Sequence, residues 1–135
     1  MTPQAVFFDI GGTLADYDAA ADRLVPLRDA HAILTLARDV LGLRIGVITT
    51  LGSLTLQRVR QLMEAADLAD FVDPHWWVSE HEAGVAKPDP QIYRFAAQQL
   101  GVPAERCLFV GENFGEILGA TCAGMQGMQK TSLPQ

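Results

Sequence analysis

The chain has 135 residues, 49% hydrophobic and 19% charged, which is long enough to bury a substantial core and too apolar for a disordered segment. A formal net charge of −6 argues against generic attraction to nucleic acid or to an anionic membrane surface. Cys107 and Cys122 are too few for a disulfide framework, no apolar run is long enough to span a bilayer, and no basic segment leads into an apolar stretch at the N-terminus, so one soluble, cytoplasmic domain over residues 1–135 is expected.

Ala5 to Phe8 is a continuous apolar run, the pattern of a strand covered on both faces of a parallel sheet. It ends in Asp9 and breaks into Gly11-Gly12. Ala15 to Leu24 carries Asp16, Asp18 and Asp22 and reads as a solvated loop or a turn of helix. Pro26 is suited to open a helix, in which Leu27, Ala30, Leu34, Ala37 and Leu41 repeat at helical spacing and Gly42 supplies a left-handed stop. Leu43 to Thr50 is a second strand ending in two hydroxyls. Gly52-Ser53 predicts a turn and N-cap before a helix carrying Leu56, Val59, Leu62, Met63 and Ala66 on its inner face. His75 to Ser79 is a short third strand.

Ser79 and Glu82 have the spacing of a capping box, and Asp89-Pro90 is an N-cap followed by proline at the first helical position. Ile92, Phe95, Ala96 and Leu100 line that helix, which Gly101 ends. Arg106 to Val110 is a fourth strand, with Cys107 a buried free thiol. A helix follows to about Ala123, and Met125 to Lys130 is an edge strand. Strands alternating with helices predict an α/β fold with a parallel, right-handed, layered sheet. His75 and His81 lack the spacing of a helical metal pair and have no third ligand nearby, which argues against zinc.

In such a sheet the carboxyl ends of parallel strands share one edge, where ligands bind. Asp9 ends the first strand, Thr49 and Thr50 the second; Lys87 follows the third through a loop, and Glu112 and Glu116 follow the fourth. Taken singly, Lys87 is an ordinary surface lysine, Thr49 a strand-end hydroxyl, and the two glutamates acids favouring a helix N-terminus. Taken together they are the groups that phosphoryl transfer through an aspartyl-phosphate needs. Asp9 would attack phosphorus. Lys87 and a hard divalent cation such as Mg²⁺ would offset the meeting of two anions, and Thr49 with backbone amides would hold phosphate oxygens.

The stretches Phe8-Asp9 with Gly12-Thr13-Leu14, Val47-Ile48-Thr49, Gly84 to Pro90, and Val110-Gly111-Glu112 with Gly119-Ala120 and Ala123-Gly124-Met125 resemble, in order and over nearly the whole chain, the motifs of the haloacid dehalogenase superfamily. That resemblance implies a Rossmann-like three-layer sandwich with strand order 5-4-1-2-3, Mg²⁺ dependence and phosphatase activity. It implies Asp9 as nucleophile and metal ligand, and the Gly11 carbonyl as a metal ligand near the phosphate. Thr49, Thr50, Lys87 and Gly11 would bind phosphate, Glu112 would bind metal, and Glu116 would support that metal site.

The chain departs from the family pattern at three places. The family's second motif aspartate, which protonates the leaving group and then activates water, is replaced by Gly11, so slow turnover is expected. Glu112 and Glu116 stand where aspartates are usual. About forty residues separate Asp9 from Thr49, and a similar interval separates Thr50 from Lys87, so no cap domain is expected. An uncapped site is open to a phosphorylated small molecule or macromolecule, or is covered by a second subunit or partner. The expected function is a Mg²⁺-dependent phosphohydrolase. The alternative is a catalytically impaired phosphate- or metal-binding regulatory module. Loops around Tyr17, Trp76 and Phe114, or a neighbouring subunit, are expected to set specificity, with Trp76 and Trp77 themselves read as core and interface residues.

Overall fold

The side chains of one strand already require two cores. The computed structural model describes residues 2–131. In β1, Ala5–Phe8, the side chains of Val6 and Phe8 enter one buried cluster and those of Ala5 and Phe7 another, on opposite faces of the same sheet. The flanking parallel strands are β4, Arg44–Thr49, and β6, Cys107–Gly111; β5, Trp77–Ser79, and β7, Gln126–Gln129, form the edges. The order β5-β4-β1-β6-β7 is all parallel. It is the expected 5-4-1-2-3 order with the parallel strands renumbered along the chain.

Helix α1, Ala30–Thr35, and α2, Leu56–Ala65, cover the face of Val6 and Phe8. Helix α4, Pro90–Leu100, and α5, Phe114–Cys122, cover the face of Phe7. The connections after β1 and after β6 therefore go to opposite faces, which opens a crevice at the end of β1. Phe8 pairs with Val47 on one side and with Val110 on the other, and the Asp9 amide donates to the Val110 carbonyl at 3.0 Å. Asp9 thus stands at the switch point of the sheet.

The segment after Asp9 is neither loop nor helix but a hairpin: β2, Ala15–Asp18, pairs antiparallel with β3, Arg23–Pro26. Its alternation was obscured because the hairpin is mostly solvated, with Ala15 and Leu24 as its buried residues. Pro26 consequently ends a strand, and α1 begins at Ala30 after Asp29. The helix then widens into a π-helical turn over Leu36–Val40, where the Leu41 amide donates to the Leu36 carbonyl at 2.9 Å, before Gly42 adopts φ +66°.

Helix α2 is capped by Thr55, whose hydroxyl accepts from the Arg58 amide at 3.1 Å, not by Gly52-Ser53. The capping box of α3, Glu80–Ala83, forms as expected: Glu82 accepts from the Ser79 amide at 2.8 Å. Asp89 caps α4 by accepting from the Gln91 amide at 2.9 Å. No cap domain interrupts the chain between β1 and β4 or between β4 and β6; the hairpin tip at 19–22 and the short α3 are the excursions there. Among the described residues, no helix is long and apolar enough to cross a membrane. Cys107 is buried and unbridged, and burial, with Glu105 adding to it, pushes its thiol up to about 11.

Candidate active site

Residues 9, 87 and 116 come from three separate segments and meet. Lys87 Nζ donates to Asp9 Oδ1 at 2.5 Å and lies 3.0 Å from Glu116 Oε1. The Lys87 side chain is 2% exposed, against 13% for Asp9 and 22% for Glu116. Two carboxylates partner this amine, which compensates the burial of its charge. Its ammonium also lies 5.9 Å from the centre of the Phe109 ring, against which Tyr93 packs edge-on at 5.1 Å. The Tyr93 hydroxyl donates to the Glu116 carbonyl at 2.8 Å, tying α4 to α5 beneath the site. Burial, then the charges of Glu116 and Asp9, drives the Tyr93 phenol well above its ordinary value of 10.0, so it remains a donor.

A glycine sets the height of Lys87. The Lys87–Pro88 peptide is cis, and a methyl group on Gly119 would lie 2.1 Å from the Pro88 carbonyl oxygen and 2.9 Å from its carbon. Both are backbone atoms, which cannot swing aside. Gly119→Ala is expected to force α5 away from the Lys87–Pro88 segment at a cost of about 1–3 kcal/mol, read as a lower urea midpoint. A midpoint within error of the parent would contradict that close approach.

The loop after β1 turns on one oxygen. The amides of Thr13, Leu14 and Ala15 all donate to the Ile10 carbonyl, at 3.1, 2.9 and 3.1 Å, so these turn bonds leave the neighbouring Gly11 carbonyl aside. Gly12 has φ +73°, and a Cβ there would meet Glu112 Cγ at 2.7 Å and Oε1 at 3.1 Å. The Glu112 side chain therefore packs against Gly12. Asp9 lies against the end of β6 as well: its Cβ is 3.6 Å from where a Cβ on Gly111 would stand.

Among the described residues no group of three or more His, Cys, Asp or Glu side chains is arranged to hold a metal. The available oxygens are those of Asp9, the Gly11 carbonyl and Glu112. An all-oxygen set of two carboxylates and a carbonyl, completed by water and phosphate, suits Mg²⁺ and not a softer metal. Glu116 stands on the lysine side of Asp9, so any support it gives a cation runs through Lys87.

Thr49, the last residue of β4, is buried and paired with Ser79 of β5, whereas Thr50 is exposed. Both line a cleft of about 140 Å³ together with Ile10, Gly11, Tyr17 and Leu54. The loop that follows is held by Glu80, the first residue of α3. The Glu80 carboxylate accepts from the Leu51 amide at 2.8 and 3.1 Å and from the Gly52 amide at 3.2 Å. Nothing in the spacing pointed to this contact, because it joins the ends of β4 and β5 across the sheet.

Burial pushes the Glu80 carboxyl up, but the amides of Leu51, Glu80 and Gly52 outweigh it and hold the group below its ordinary 4.5. A depressed folded-state value means that its stabilisation is complete above 4.5 and lost as pH falls through the lowered value. Glu80→Ala should cost about 1–2 kcal/mol at neutral pH, and the gap to the parent should close in acid. Urea midpoints for both proteins across that range check this; a gap independent of pH would contradict it.

Trp76 does not reach the site. It precedes β5 at the amino edge of the sheet, buried beside Phe7 under the Arg44 guanidinium at 3.8 Å. Tyr17 and Phe114 do lie at the carboxyl edge and are 45% and 61% exposed. Tyr17 donates to Asp22 at 2.6 Å, and Asp22 pairs with Arg58 of α2 at 2.7 Å, which ties the hairpin to the helix beside the cleft.

Residues 17–124 match the haloacid dehalogenase-like hydrolase family. The chain belongs to that family. It is 40% identical over 85 residues to Phosphatase MT3486 of Mycobacterium tuberculosis (strain CDC 1551 / Oshkosh), covering 63% of this chain and 37% of that protein. It is 37% identical over 110 residues to the Pyrimidine 5'-nucleotidase YjjG of Escherichia coli (strain K12), covering 80% of this chain and 46% of that one. The chain spans less than half the length of these relatives. Its fold is also that of a HAD family hydrolase from Deinococcus radiodurans R1 with bound phosphate and sodium, at TM-score 0.72 and 17% identity over 93% of this chain and 79% of that one. The L-2-haloacid dehalogenase from Xanthobacter autotrophicus gives TM-score 0.79 at 19% identity, over 99% and 80%. At these identities the likeness to the two structures is one of fold.

Proposed function

We propose that this member of the family is a Mg²⁺-dependent phosphomonoesterase working through a phosphorylated Asp9, with turnover slowed by glycine at position 11. The observation that carries the reading is the buried Lys87 amine 2.5 Å from the Asp9 carboxylate. A lysine in that position orients the nucleophile and offers positive charge to the incoming phosphoryl oxygens. The phosphatase and nucleotidase among the relatives support it.

In the first half-reaction an Asp9 carboxylate oxygen bonds to phosphorus while the ester oxygen leaves with the bonding electrons. Thr49 and the Thr50 amide stand at the adjoining strand end, suited to hold the non-bridging oxygens. Asp9, the Gly11 carbonyl and Glu112 would hold Mg²⁺, which when bound supplies the charge that lets two anions approach. Glu116, 3.0 Å from the Lys87 amine, keeps it in place. In the second half-reaction water bonds to phosphorus, the bond from phosphorus to the Asp9 oxygen breaks, and inorganic phosphate leaves with the carboxylate regenerated. Gly11 has no side chain to protonate the leaving oxygen or to deprotonate that water, which is worth about 10²–10⁴-fold when present.

Without a cap, such a site is open to a phosphorylated small molecule, to a phosphate on a larger partner, or to cover by a second copy of the chain. The direct test is hydrolysis of an activated aryl phosphate. Activity should require Mg²⁺, vanish on chelation and return when the ion is restored. Equal rates with chelator, or no hydrolysis at all, would remove the proposal. Gly11 also favours a second reading, a phosphate- or metal-binding module that regulates a partner. That reading predicts binding of Mg²⁺ and inorganic phosphate without any hydrolysis.

A further inference from the structure

The cleft beside Gly11 has a chemical character of its own. Beyond Ile10, Gly11, Thr49 and Thr50 at the sheet edge, its walls are Tyr17 and Leu24 of the hairpin, Leu54, and Val59 and Leu62 of α2. Leu24, Val59 and Leu62 are buried members of the core, and Leu54 packs on it half-exposed. The volume of about 140 Å³ is close to the ~150 Å³ at which an apolar cavity holds one benzene ring. Its position is fixed by register. Phe8 pairs with Val47, so the residues after β1 and Thr49 at the end of β4 lie side by side. A group leaving from a phosphate held between Asp9 and Thr49 has this cleft next to it.

We infer that the cleft is the leaving-group subsite and that the substrates are small phenolic phosphate monoesters, with the aromatic ring seated between Tyr17 and Leu54. This rests on the phosphomonoesterase reading above. The missing acid and the apolar walls point to the same class. When the Asp9 oxygen bonds to phosphorus, the phosphorus–oxygen bond breaks and a phenol departs as phenolate, keeping the electron pair and taking its proton later from solvent. A phenol ionises near pH 10, so its oxygen leaves without a general acid far more readily than an alkoxide does. A sugar or nucleotide leaving group would place several hydroxyls against Leu54, Val59 and Leu62 with no partners, at a cost in affinity.

The test is binding, which does not depend on turnover. Phenylphosphonate and methylphosphonate, neither hydrolysable, are titrated into the full chain with Mg²⁺ by calorimetry. Phenylphosphonate should bind roughly tenfold tighter. Leu54→Ser should bring its affinity towards that of methylphosphonate while leaving methylphosphonate unchanged. Equal affinities in the parent protein would overturn the subsite and leave the phosphate site standing. Failure of both compounds to bind would overturn the phosphate site and the subsite with it.

Discussion

Under the proposed mechanism Gly11→Asp raises kcat by about 10²–10⁴-fold, the usual worth of a general acid–base. A Cβ built on Gly11 meets nothing within 4 Å, and the backbone there lies outside the left-handed region, so the first carbon of an aspartate side chain enters without displacing a neighbour. Its carboxyl would stand at the mouth of the cleft lined by Gly11, Thr49 and Thr50. The gain should depend on the leaving group. Alkyl phosphates need the acid in the first half-reaction and the base in the second, so they gain most. Aryl phosphates need mainly the base and gain less. Steady-state kinetics on one ester of each kind decide the matter. No gain on either, together with no Mg²⁺ binding by calorimetry, would leave a scaffold and not an enzyme.

Asp9→Asn abolishes turnover and leaves the fold and phosphate binding in place. Loss of a nucleophile costs on the order of 10⁴–10⁶-fold, which in a slow enzyme means a fall to the background rate. Asparagine has the same shape and still offers an oxygen to Lys87, while Glu116 remains 3.0 Å from the amine. The melting temperature should therefore move by no more than a few degrees, equivalent to about 1 kcal/mol. Removing one negative charge from the face that meets a dianion should hold inorganic phosphate as tightly as before or tighter. Residual turnover in this variant would assign the chemistry to another residue. Lost phosphate binding would mean that the substitution had disturbed the site as a whole.

How much of this was legible in the sequence depended on whether the relevant interaction was local. The parallel layered sheet follows from the alternation of apolar runs with helical stripes, its strand order from the family resemblance, and the caps at Ser79 and Asp89 are written in adjacent residues. The meeting of Asp9 and Lys87, 78 positions apart, followed from the rule that parallel strands share a carboxyl edge. The hairpin over 15–26 escaped because its faces are mostly wet, which removes the period-2 signal. Glu80 escaped because its partners are the backbone amides of another strand's loop, and an amide carries no side-chain signature. β5 begins at Trp77, two residues after the expected start at His75, which leaves Trp76 in the core at the amino edge of the sheet. The pairing of Glu116 with Lys87, and the lie of Glu112 over Gly12, depend on side-chain directions after β6 that spacing leaves open.

The most direct measurement asks where the phosphoryl group goes. Under the proposed mechanism, with no side chain at position 11 to activate water, the second half-reaction should be the slower one and the phosphorylated enzyme should accumulate. An acid quench of the chain mixed with an aryl phosphate and Mg²⁺, followed by peptide mass spectrometry, should find one phosphoryl group on the peptide containing Asp9, and none in Asp9→Asn. A phosphoryl group on any other residue, or hydrolysis proceeding in Asp9→Asn, would contradict the account.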